Sequence, residues 1–234
     1  SRPRAERMEA PAVLLRADAP ATAPGGILDA LDGEALAAVI LFAAPGADLA
    51  TLGRAAALRF PGTAVIGCTT AGEITAAGYA EGRIVAVGLP ARLFAVEAVA
   101  VPDLDAFRPE ALIGRVMRAR ASLAAARPGW GGEFGFLLVD GLSAREDALA
   151  AALSAGLGPV PLFGGSAGDG VRFRRTEVLA DGAARSGAAV MLMVRTACTA
   201  RVFNLDHLMP TETRMVVTRA DPARRIVQAI NGEP

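Results

Sequence analysis

Val65-Ile66-Gly67-Cys68-Thr69-Thr70-Ala71-Gly72-Glu73-Ile74 is an apolar strand running into a glycine-rich turn. The chain repeats the pattern as Leu162-Phe163-Gly164-Gly165-Ser166-Ala167-Gly168-Asp169. Each copy is preceded by another buried strand and a helix. Val39 to Ala43 and Phe136 to Val139 are continuous apolar runs of the kind covered on both faces. From Phe42 to Gly67 is 25 residues, and from Val139 to Gly164 is also 25. Each turn is followed by a further glycine and an apolar strand, Gly82 to Leu89 and then Gly187 to Val194. The expected fold is therefore α+β (α/β), with two tandem strand-helix-strand-strand-strand repeats related by a pseudo-two-fold. Their sheets should pack face to face with helices outside. Equivalent loops of such halves can face a shared cleft.

Outward from the turns, Asp48 to Arg59 reads as a helix, and Ile84–Leu89 with Phe94–Val101 as an antiparallel pair joined at residues 90–92. The longest helix is expected to start near Pro109, where a first-turn proline is tolerated. Ser143 and Glu146 have the spacing of a capping box. Further strands are expected near Phe173–Leu179, Ala188–Val194 and Thr199–Leu205. The runs 214–218 and 226–230 suggest a closing strand pair.

The 234 residues suffice for one large domain or two small ones. Charge is balanced at 24 basic and 24 acidic residues, every base an arginine, so no overall footprint for nucleic acid or anionic membrane is expected. Hydrophobic content is 53%, yet the longest uncharged stretch, 148–168, is broken by glycine and proline and would not hold as a spanning helix. Two cysteines, Cys68 and Cys198, make no disulfide framework and suit a reduced, cytoplasmic protein.

The two turns resemble the signatures of the FIST domain family, sensory modules of signal transduction. Gly67-Cys-Thr-Thr-Ala-Gly-Glu-Ile74 is similar to the family's N-terminal signature. Leu162–Asp169, followed by an aromatic, a threonine and a glycine before an apolar strand, is similar to its second. The resemblance implies a lead-in over 1–35, repeats over 36–104 and 105–210, and the start of a C-terminal FIST domain over 211–234. It also implies a small-molecule ligand and, as partner, a histidine kinase or cyclic-dinucleotide signalling enzyme. Amino acids are ligands proposed for the family at large. Arg201–Thr211 resembles the stretch that carries the histidine of a haem-binding, nitric-oxide-sensing branch.

His207 is the only histidine. Imidazole is a common haem-iron ligand, and Phe203, Leu205, Leu208 and Met209 could wall it. A histidine capping a strand end is the alternative. Gly67, Cys68, Thr69, Thr70, Gly72 and Glu73 in one turn, with Gly164, Gly165, Ser166 and Asp169 in the other, are the candidate ligand-binding residues. Their amides and hydroxyls could cradle a carboxylate or phosphate. The same glycines would equally serve tight turns and close packing of the two halves. Glu73 and Asp169 could do acid–base work or simply cap loop amides. Cys68 as a nucleophile with His207 as base makes a thiol enzyme, and a small buried cysteine is the alternative. A non-enzymatic sensor is the expectation, and a scaffold without ligand is a further reading.

Overall fold

The computed structural model describes residues 14–203, 208–222, 224 and 226–234. Its first half runs β1 (Leu15–Pro20), β2 (Leu36–Ala43), α1 (Leu49–Arg59), β3 (Ala64–Thr69), a hairpin of β4 (Glu73–Thr75) and β5 (Gly78–Ala80), then β6 (Arg83–Pro90) and β7 (Phe94–Val101). The second half follows as α2 (Pro109–Ala126), β8 (Gly132–Asp140), α3 (Glu146–Leu157), β9 (Leu162–Ala167), a hairpin of β10 (Val178–Ala180) and β11 (Ala183–Arg185), and β12 (Ala189–Thr196). A last hairpin, β13 (Val217–Asp221) and β14 (Ile226–Ile230), forms its own two-stranded sheet.

The fold is α+β, and the connectivity of the halves repeats. In the first sheet β6 lies antiparallel between β1 and β2, and β3 runs parallel to β2. In the second, β12 lies antiparallel between β7 and β8, and β9 runs parallel to β8. The repeats part company at their hairpins. β10 crosses to the first sheet and pairs with β3, Val178 opposite Cys68, giving the order β1-β6-β2-β3-β10-β11. The second sheet remains β7-β12-β8-β9. Connector length accounts for the difference: residues 168–177 separate β9 from β10, whereas only residues 70–72 separate β3 from β4. Ten residues give the second hairpin ample reach to cross, while three keep the first hairpin close to the end of β3.

Each sheet buries both faces. Val39, Leu41, Ile84 and Leu179 pack against Leu49, Leu52 and Ala56 of α1. Val99, Val139, Met191 and Met193 pack against α2 and α3 through Leu112, Val116, Leu149 and Leu153. The inner faces meet through Ala38, Ile40, Ile66, Cys68, Ala100, Leu138, Val190 and Leu192. The expected face-to-face sheets with outer helices are thus present, and buried strands show the continuous apolar runs that burial on both faces demands.

Four local expectations are corrected. β6 and β7 do not pair, because both edges of β6 are already taken by β1 and β2. No capping box forms: α3 starts at Glu146, and the Ser143 hydroxyl instead accepts the Arg145 N–H at 3.1 Å. Residues 173–177 are loop, because the Asp169 carboxylate takes the amides of Phe173, Arg174 and Arg175 that a strand would need. Residues 199–203 are not strand, and the remainder of that expected strand lies outside the described residues.

Candidate functional site

The apolar interior is not filled from end to end. The inner faces carry small side chains, Ala100, Ala167, Ala188 and Cys68 among them, together with large rings. Phe42 of β2 meets Phe136 of β8 edge to face at 6.5 Å, and Phe163 of β9 lies 5.3 Å from Phe136 and 5.5 Å from Phe134. Around them lies a cleft of about 440 Å³ between the sheets. Ile40, Phe42, Val87 and Leu89 form one wall, and Phe134, Phe136, Leu192 and Val194 the other. Its polar side chains all come from one rim, as Thr196, Cys198, Thr199 and Arg201. A cleft of this size, apolar with a few polar groups at its mouth, has the usual character of a small-molecule site.

The first glycine turn sits on the far side of Phe42 and Val87. Thr70, Gly72 and Glu73 help line a second cavity of about 320 Å³ that shares those two side chains with the cleft. The hydroxyls there are engaged internally. Thr70 donates to Glu73 Oε1 at 2.5 Å, and Glu73 Oε2 accepts the Arg83 N–H at 3.0 Å. Thr69, buried, accepts the Glu177 N–H on its hydroxyl at 3.0 Å. Glu73 is 3% exposed and serves to pin the start of β6.

Of the second turn only Phe163 lines the cleft, and Gly164, Gly165, Ser166 and Asp169 line neither cavity. Gly164 and Gly165 belong to β9, and Ser166 donates to Glu146 at 2.7 Å. Asp169, buried, accepts three loop amides at 2.7 to 3.0 Å. The amides of Arg174 and Arg175, then that of Phe173 and the nearby Arg172 charge, hold its carboxyl below the usual range. The two turns do meet, in contact rather than across a gap. The Gly168 N–H donates to the Thr69 carbonyl at 2.9 Å, and a Cβ on Gly168 would lie 3.0 Å from the Ala71 nitrogen. Two other glycines serve close strand approach: a Cβ on Gly67 would lie 2.5 Å from the Leu41 oxygen, and one on Gly164 would overlap the Leu137 carbonyl. Glycine here permits packing.

Cys68 is 3% exposed, and burial pushes its thiol up to about 12. Such a thiol carries almost no thiolate near neutrality and is a poor nucleophile. His207 lies outside the described residues, and among the described residues no cluster of three or more histidine, cysteine or acidic side chains could hold a metal ion. No helix among them is long and apolar enough to cross a membrane.

The model of the FIST N domain matches residues 37–233. This chain belongs to the FIST family. Among curated proteins none matches its sequence. The FIST domain is a sensory, ligand-binding module of signal transduction. Sequence reasoning placed the candidate residues in the glycine turns and did not anticipate the cleft wall of Phe42, Val87, Phe134, Phe136 and Phe163. The one available signal was two aromatics with period-two spacing, Phe134 and Phe136, at the start of β8.

Proposed function

We propose that this FIST domain senses a small apolar molecule held in the cleft between its sheets and reports it to a separate signalling protein, a histidine kinase or a cyclic-dinucleotide enzyme. The observation that carries this reading is the aromatic-walled cleft of about 440 Å³ whose polar groups are confined to one rim. The alternative seat, an amino acid held by the glycine turns, is less well supported because Thr69, Thr70, Ser166 and Asp169 spend their hydrogen bonds within the protein.

The sharpest form of the proposal is haem with His207 as iron ligand. The rim residues Thr199–Val202 lead along the chain towards His207. Hydrocarbon walls with Arg201 at the mouth suit a flat apolar macrocycle bearing carboxylates, the guanidinium pairing with a carboxylate. Bound haem would supply an iron centre that takes up nitric oxide. The walls would exclude water from it, and Arg201 would orient it.

Titration with hemin, followed by absorption, tests this on the chain, on His207→Ala and on Arg201→Ala. A sharp Soret band that His207→Ala removes, and that shifts when nitric oxide meets the ferrous form, supports the haem form. A flat titration with retained binding of an apolar dye keeps the cleft and discards haem. Loss of both, with amino acids raising the melting temperature, would return the site to the glycine turns.

A further inference from the structure

The loop that follows β9 reads Val171-Arg172-Phe173-Arg174-Arg175. In a chain whose charges cancel overall, it gathers three arginines into four consecutive positions. Every one of its five residues is exposed, Val171 at 90% and Phe173 at 73%. Arg175 pairs with Glu177 at 2.8 Å, while Arg172 and Arg174 form no ion pair among the described residues. The crest thus presents apolar and cationic side chains in alternation, facing water.

This crest stands on a rigid base. Asp169 takes the amides of Phe173, Arg174 and Arg175 at one end. At the other, buried Thr176 donates to the buried carboxylate of Asp140. Phe173 is held at φ 50°, a region that a bulky residue adopts only where its surroundings fix it. Three amide hydrogen bonds and a strained aromatic hold this crest, in which Arg172 also lends its charge to Asp169 while Phe173 and Arg174 project into water. Aromatic and arginine side chains in one rigid patch are the residues that carry protein–protein binding energy.

We propose that Val171–Arg175 is the surface by which this domain docks an acidic segment of another protein. Phe173 enters an apolar recess of the partner, and Arg172 and Arg174 pair with its carboxylates. Charge complementarity selects the partner class: two exposed guanidiniums without an ion pair among the described residues favour carboxylates, and the exposed ring between them favours an apolar neighbour over a purely polar acidic tail. This surface does not depend on what the cleft holds.

The test uses the full chain and a short fluorescein-labelled peptide of alternating glutamate and leucine, with a lysine–leucine peptide as control. Binding is followed by fluorescence anisotropy at low and high salt. Two variants keep the fold: the double substitution Arg172→Glu/Arg174→Glu at exposed positions, and Phe173→Asn, since asparagine tolerates positive φ. Expected are salt-sensitive binding of the acidic peptide, weakening by about tenfold or more in either variant, and a switch of the double variant to the lysine peptide. Melting temperatures should be retained throughout. No binding of the acidic peptide, binding that survives both variants, or binding only to phosphatidylglycerol vesicles or to single-stranded DNA overturns the proposal.

Discussion

Val87→Trp examines the cleft from inside. Val87 is half-buried on β6 and forms part of the wall of both cavities, so its side chain points into open volume. An indole in place of an isopropyl group buries roughly 100 Å² more apolar surface. At about 25 cal/mol per Å² that is worth about 2.5 kcal/mol. Ordering the ring and imperfect fit return about 1 kcal/mol of this. The net gain of about 1.5 kcal/mol corresponds to a rise of about 3 to 6 °C in melting temperature for a chain of this size. Calorimetry measures the rise, and fluorescence of an apolar naphthylamine dye measures occupancy of the cleft. The variant should melt higher and bind the dye at least about tenfold more weakly, the cost of losing roughly 1.4 kcal/mol of contact. A lower melting temperature would mean that the space is already filled. Unchanged dye binding would mean that apolar ligands go elsewhere.

Gly164→Ala should destabilise by about 1 to 3 kcal/mol in urea melts, because the new methyl overlaps the Leu137 carbonyl and a backbone strand must move. Asp140→Ala should lose about 3 kcal/mol or more, since the Leu142 and Gly187 amides and the Thr176 hydroxyl all donate to that one buried carboxylate. The protonated thiol of Cys68 is favoured by the fold, so its contribution to stability is complete below the ordinary thiol range and declines as pH rises from there towards about 12. Iodoacetamide at pH 8 should accordingly label Cys198 first and reach Cys68 only on unfolding, which mass spectrometry resolves; comparable rates would refute the burial argument.

What could be read in advance followed the range over which each pattern acts. β2, β3, β8 and β9 were legible because a continuous apolar run followed by the same glycine motif appears twice, and duplication doubles the signal. The partition of strands between sheets was not. Ile84–Leu89 and Phe94–Val101 are a few residues apart and look like a hairpin, and only the occupancy of both β6 edges forbids it. Phe173–Leu179 was expected as one strand, but Asp169 takes the amides of residues 173–175, and only the end of the stretch pairs, in Val178–Ala180. The glycine turns were recognised as important, but their direct contact was not legible because Gly168 and Thr69 are 99 positions apart in sequence and adjacent in space. The cleft was invisible for the same reason: it depends on Phe42 facing Phe136, and no local spacing encodes that meeting.

The hairpin lent by one half to the other has a consequence for how the chain comes into being. Val178 pairs with Cys68, 110 positions earlier, so the first sheet stays incomplete until most of the chain has been synthesised. Until then β3 carries a bare edge, open to the wrong neighbour. Contacts of such separation slow folding, since a long loop must close before they form. Expressed as separate pieces cut between β7 and α2, the halves would each be unfinished, and mixing them should regenerate the fold by complementation. What looks like two modules in tandem is one cooperative unit, whose first half waits for its second.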